Sequence, residues 1–385
     1  MSKIELFIFV LVAIFGITTY LYYSNPEVLQ NIIDLIYQVP DTIDSHISNN
    51  GNIIPHSSYS TIKVQITNSI YKNNVSCSSI LSRYDIDYAL KCMLTGENRS
   101  AISPYANKLK STSKVHTVWN ILKFVDENIE YDKEKESKLP IVYKIYPGGR
   151  VEIVSGRDAY IQTPYETIQR GKGICSDYTM LILALLLESG FDTVYAMEID
   201  GSSDGHIVPV AKLNKWYFVL DQRLPPMDFE GFVSTYNGEI REIYWYEIHK
   251  DGDTVDIKKS KLNVMDLLKE KYEATASDFE PIRDKLNIKI SNKYKINIDS
   301  KLLAYFNKDI PTVKYNKILR ASITFKKMAR IYHPLFEDEY VDYIYEQMFK
   351  MSKIDLDGLL NGAKGVYVST SINGDDLIVN VYIGI

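Results

Sequence analysis

Gly171-Lys172-Gly173-Ile174-Cys175-Ser176-Asp177-Tyr178 leads into residues 179–187, where Thr179 is the only polar side chain, and Ser189-Gly190 closes the run. The spacing predicts a helix that begins at Cys175 and ends with glycine in the C-cap place. A helix that is apolar nearly all round belongs in the middle of a domain. Its first turn carries a thiol, and a thiol is a useful nucleophile only as thiolate, the form that a helix N-terminus favours. The two glycines before it let the backbone turn tightly and give a substrate close access. Taken alone, a mid-chain Cys at the head of an apolar helix is more often inert packing. The case therefore depends on what lies downstream.

Three β-rich runs follow, at residues 193–199, 206–213 and 216–221. With Asn214-Lys215 as a two-residue turn, Leu213 pairs with Trp216, and Val208 falls opposite Asp221. His206 and Asp221 are then diagonal neighbours on one face of the sheet, within reach of each other. A slip of one residue would put them on opposite faces. A base and its orienting carboxylate require this arrangement: Asp221 fixes the imidazole tautomer and His206 takes the thiol proton. Without the Cys, an ordinary hairpin with an edge His and a strand-end Asp is the better reading. Upstream, Val115, Val118, Trp119, Leu122, Val125 and Ile129 follow helical spacing behind Ser113. Residues 141–146 and 151–154 read as a hairpin around Pro147-Gly148-Gly149, and Thr163-Pro164-Tyr165-Glu166 as a helix start.

Gly-x-Gly-x-Cys-x-Asp opening an apolar helix, then a strand bearing His, then an aromatic strand ending in Asp, resembles the transglutaminase-like superfamily. Trp119 with Asn128-Ile129-Glu130-Tyr131-Asp132 is similar to the family's preceding helix, and Thr163-Pro164-Tyr165-Glu166-Thr167 to its lead-in. The match spans roughly residues 113–225. It implies a papain-like α+β core in which Cys175 is the nucleophile, His206 the general base and acid, and Asp221 the orienting residue. It leaves the oxyanion hole unassigned: the Cys175 backbone N–H is a natural donor, and Gln169, six residues upstream, sits where papain-like proteases keep a Gln, a position that family members need not use. The chain departs from the family pattern in Ile207-Val208 after the His, in Trp216 lying five residues before Asp221 with Tyr217 at the expected place, and in Gln222 beyond it. A metal site of Cys175, Asp177, His206 and Asp221 would lack the close paired spacings that mark such sites, so no metal and no cofactor is expected.

A net charge of −5 argues against nucleic acid as a partner, since phosphate binding needs a clear basic excess. Three cysteines are too few for a disulfide scaffold. Cys77 and Cys92 either pair or remain as two buried thiols; the sequence leaves both open. Residues 6–21, LFIFVLVAIFGITTYL, carry no charge, and Tyr20, Tyr22 and Tyr23 sit at the far end. That run exceeds most signal-peptide cores (roughly 7–15 residues), approaches a spanning helix (roughly 17–25), and lacks a small-x-small cleavage site. It reads as an uncleaved signal anchor. Lys3 precedes it and the next basic residue is Lys63, which orients the N-terminus to the cytoplasm and the body of the protein outside. Asn74-Val75-Ser76 and Asn98-Arg99-Ser100 are acceptor sequons usable only in that orientation.

The expected organisation is a transmembrane anchor at 1–24, a helical and irregular region at 25–112, a transglutaminase-like catalytic domain at 113–250, and a C-terminal α+β region at 251–385. His46 and His56, in the polar stretch of residues 44–60, and His333 in the C-terminal region read as solvated or structural. In that last region residues 262–272 predict a helix, 286–298 alternate like a strand, 340–351 predict a helix, and 366–372 with 377–383 flank a hairpin turn. The fold class is α+β, a central Cys-bearing helix on an antiparallel sheet. The expected function is that of a membrane-anchored thiol enzyme acting on peptide or isopeptide amides through a Cys thioester, hydrolysis before cross-linking. Its substrate would be a peptide, a protein or a cell-surface polymer. The alternative is a non-catalytic surface binding or scaffold module of the same fold.

Overall fold

The computed structural model describes the backbone of residues 62–64 and residues 77–146, 150–201, 205–238, 240–263 and 271–385 in full. The expected anchor at residues 6–21, His46, His56 and the first sequon lie outside these residues. Among the described residues no helix is long and apolar enough to cross a membrane.

The described residues form one compact unit. Helices α1 (Ile86–Met93), α2 (Ser103–Leu109) and α3 (Lys114–Asn128) come first, and the short α4 (Lys133–Glu136) follows. Then come α5 (Pro164–Arg170) and the central α6 (Cys175–Glu188). Thr163 caps α5 reciprocally with Glu166, and Pro164 occupies the first turn, where its missing N–H costs nothing. Every residue of α6 from Cys175 to Leu187 is buried, as its unbroken apolar run requires.

One face of a five-stranded antiparallel sheet receives α6. Its strands are β1 (Thr193–Asp200), β2 (His206–Leu213), β3 (Trp216–Val219), β4 (Glu242–Asp251) and β5 (Thr254–Leu262), in the order β5-β4-β1-β2-β3. Val194, Ala196, Ile207, Ala211 and Phe218 share a core with α6. Met197, Val208, Val210 and Val219 join a second core with Phe229 and Phe232 of α7 (Phe229–Thr235). Burial on both faces explains why the strands read as nearly continuous apolar runs.

The carboxyl-terminal part builds a second sheet from β6 (Ile318–Phe325), β7 (Gly365–Asn373) and β8 (Asp376–Gly384), with Asn297–Ile298 parallel to β7. The β7–β8 hairpin turns at Gly374, where φ is +60°. The helix α10 (Glu337–Met351) contains the expected 340–351 segment; α8 (Glu280–Tyr294) and α9 (Met328–Ile331) precede it. Residues 286–298, expected as a strand, are mostly helix. Ile282, Leu286 and Ile290 are buried at spacings of four, whereas Ile288, which made the pattern look alternating, is 53% exposed. The helix expected at 262–272 falls mostly on residues outside the description, and Leu262 at its start ends β5.

The two parts share a core. Trp119 of α3 lies edge-on to Tyr340, ring centroids 5.5 Å apart, and Phe218 of β3 lies edge-on to Phe336 at 4.9 Å. Cys77 and Cys92 are disulfide-bonded, leaving Cys175 as the free thiol.

Candidate active site

Three elements bring the sequence-predicted residues together. Asn214 takes the left-handed conformation (φ +55°), so Asn214-Lys215 forms the tight turn and Leu213 pairs with Trp216, as the spacing predicts. The ladder continues past β3 through the Leu220 N–H to the Pro209 carbonyl, 2.9 Å. Gln222 at φ +62° then ends the strand, so Asp221 is delivered at its tip. The result is a hydrogen bond from His206 Nε2 to Asp221 Oδ1 of 3.0 Å. A carboxylate only accepts, so Nε2 carries the proton and Nδ1 is the nitrogen left for the thiol. The Cys175 side chain interacts electrostatically with the His206 ring.

Thr179 fixes the spacing between helix and strand. Its hydroxyl reaches the Cys175 carbonyl at 2.8 Å and the Ile207 carbonyl at 3.0 Å, tying the first turn of α6 to the strand that carries His206.

Burial would by itself depress the His206 ring. The Asp221 charge and hydrogen bond, with the Cys175 contact, outweigh it and push the ring up to about 10. The imidazole is therefore held as imidazolium at neutral pH. Cys175 is fully buried and His206 is 3% exposed. Phe232 and Tyr236 lie nearly parallel to the imidazole, at 6.5 and 5.8 Å between centroids. The site is closed to solvent in this conformation. A cavity of about 640 Å³ lies elsewhere, beside the disulfide, lined among others by Arg83, Glu97, Thr163 and Asp253.

Asp177, two residues beyond the thiol, faces away from this chain of groups. Its carboxylate accepts from the Ile174 N–H (2.8 Å), the Gln162 N–H (2.8 Å), Gln162 Nε2 (3.3 Å) and Lys135 Nζ (2.5 Å). The four-residue set weighed as a metal site is thereby divided. Among the described residues no group of three or more His, Cys, Asp or Glu is arranged to hold a metal. Gln169 is exposed on α5, while Gln162 is the fully buried glutamine near the thiol helix. Sequence reasoning passed over Lys135 and Gln162. The Lys133-Glu134-Lys135-Glu136 run resembles a solvated helix face, and Gln162 carries no local signal.

A thiol, an imidazolium and a carboxylate linked in this order can hold and return one proton while the sulfur acts as a nucleophile. The first backbone N–H groups of α6 have no intrahelical acceptor and can receive developing negative charge.

Residues 100–249 match the family model described as a transglutaminase-like domain. A UPF0252 protein of Archaeoglobus fulgidus is 31% identical over 320 residues, covering 80% of this chain and 90% of that one. Another UPF0252 protein, from Pyrococcus furiosus, is 26% identical over 313 residues, covering 78% and 85%. The chain belongs to the UPF0252 family. Among solved structures, LapG of Legionella pneumophila is similar at 14% identity over 40% of this chain and 78% of that one, with a TM-score of 0.25. A superposition that loose does not establish a shared arrangement.

Proposed function

We propose that this protein is a Cys-dependent enzyme acting on peptide or isopeptide amide bonds. The observation that carries the reading is His206, which is hydrogen-bonded through Nε2 to Asp221 at 3.0 Å and interacts electrostatically with Cys175. In the first step the Cys175 sulfur attacks the amide carbon, a C–S bond forms, and the carbonyl oxygen takes the negative charge beside the free N–H groups of α6. Collapse breaks the C–N bond, His206 gives its proton to the leaving amine, and a thioester remains. Water, losing a proton to His206, then attacks the thioester; the C–S bond breaks, the acid leaves, and the sulfur returns as thiolate beside the restored imidazolium. Capture by an amine in place of water would give cross-linking. Hydrolysis is the favoured outcome, because water is always present. The uncharged run at residues 6–21 and the Lys3 asymmetry support a membrane-anchored enzyme whose body faces outward, toward a surface protein or polymer.

One observation favours a second reading, a surface binding or scaffold module: Cys175 is fully buried, and Phe232 and Tyr236 lie against the His206 ring. The two readings part in one experiment. A panel of peptide amides is incubated with the wild type and Cys175→Ala, and the trapped acyl group is sought by mass spectrometry. Activity in the wild type alone, with an acyl adduct on Cys175, supports the enzyme. Full activity in Cys175→Ala, or a Cys175 that does not react with iodoacetamide at neutral pH, sinks it.

A further inference from the structure

Lys135 is a buried charged group for which the proposed chemistry has no use. It is 4% exposed, 42 residues from its partner in sequence, and its ammonium lies 2.5 Å from Asp177 Oδ2. Placing an ammonium there is costly, and burial lowers the Lys135 pKa despite the carboxylate beside it. Such a pair is weak evidence for stability, because well-packed apolar residues do as well or better. Its placement suggests a different use.

Asp177 performs a geometric task. It reaches back from the first turn of α6 to the Ile174 N–H, and outward to the Gln162 N–H, so the turn that contains Cys175 is pinned to the segment at Gln162. A carboxylate at that end of a helix also opposes the positive field that favours negative charge on a first-turn thiol. The pinning is useful to a thiol enzyme only if its charge is cancelled.

We infer that Lys135 is a positioning residue of the thiol site, whose ammonium neutralises Asp177 so that the carboxylate can pin the first turn of α6 without opposing negative charge on the Cys175 sulfur. The remaining groups around Lys135 do not replace it. Asp132 accepts the Lys135 N–H at 3.0 Å and lies 3.8 Å from Lys172. Arg170 is a like charge nearby, and the Tyr160 ring lies 5.5 Å from the ammonium. The inference rests on Cys175 being the reactive thiol.

The test measures iodoacetamide alkylation of Cys175, the chain's free thiol, at pH 7 in folded wild type, Lys135→Met, Asp177→Asn and the double variant. Circular dichroism confirms folding. Lys135→Met is expected to react at least tenfold more slowly, and to need a higher pH to reach the wild-type rate. Asp177→Asn is expected to react as fast as wild type or faster, and the double variant to return to within threefold of it. A purely structural pair predicts equal slowing in both single variants. Folded Lys135→Met reacting at the wild-type rate overturns the inference. If Lys135→Met does not fold, the double variant, which buries neither charge, decides: a tenfold deficit there overturns the inference and a wild-type rate upholds it. Wild-type Cys175 that reacts no faster than in guanidinium sinks the enzyme reading as well, whereas a reactive Cys175 indifferent to Lys135 sinks this inference alone.

Discussion

Asp221→Asn removes one charge from the site and leaves one acceptor in its place. Burial would push His206 below its ordinary 6.5, and Asp221 with Cys175 carries it up to about 10. In a fully buried ring, that rise corresponds to about 5 kcal/mol of folded-state preference for the imidazolium, at ~1.4 kcal/mol per pH unit. Because the folded value lies above the unfolded one, this stabilisation is complete below pH 6.5. It is lost as pH rises through about 10. Without the Asp221 charge, burial dominates and the ring is neutral at pH 7. Thermal unfolding followed by circular dichroism should therefore show the variant melting about 7 °C below wild type at pH 6, at roughly 1.4 °C per kcal/mol for a unit of this length. The gap should close to a few degrees above pH 10, where neither protein gains from the pair. A gap that stays constant between pH 6 and 10, or widens upward, would refute the claim that Asp221 holds His206 charged.

Thr179→Val keeps the shape of the side chain and deletes the hydroxyl that joins the Cys175 and Ile207 carbonyls. It should cost about 1–3 kcal/mol in urea unfolding with an unchanged denaturant slope. His333, buried among Trp216, Phe218 and Tyr272, is pushed down to about 4 by burial. The unfolded chain takes up that proton first, so stability falls as pH drops from 6.5 through about 4; His333→Phe should flatten this part of the urea-midpoint profile. Reducing the Cys77–Cys92 disulfide, which spans 15 residues, should lower stability by about 3 kcal/mol in the same assay, read with and without dithiothreitol.

The features legible in the sequence were those set by local rules. A helix apolar on every side has one place to go, and α6 occupies it. A two-residue turn with Asn at its first position fixes a register, and that register carries His206 to Asp221. The strand expected at 286–298 failed because Leu286, Ile288 and Ile290 fit a period of two as well as one edge of a helix. Only the tertiary partners of Ile282, Leu286 and Ile290 separate the two patterns. Lys135 was illegible for a similar reason, since its only sign of burial is a carboxylate 42 residues away. The closure of the site by Phe232 and Tyr236 depends on how α7 folds back over β2, which no local pattern encodes.

The packing of Trp216 against His333 and of Phe218 against Phe336 has a consequence for how this protein can be divided. The segment that matches the transglutaminase-like domain model stops at residue 249, but the hairpin that presents Asp221 rests its outer wall on residues some eighty positions further along. A fragment ending there would bare Phe218, wholly buried in the intact chain, and forfeit about 1.5–3 kcal/mol for that side chain alone. Portability is thus decided by the wall and not by the motif. Homologues that exchange their carboxyl-terminal thirds must also exchange, or re-match, the aromatic face of the hairpin.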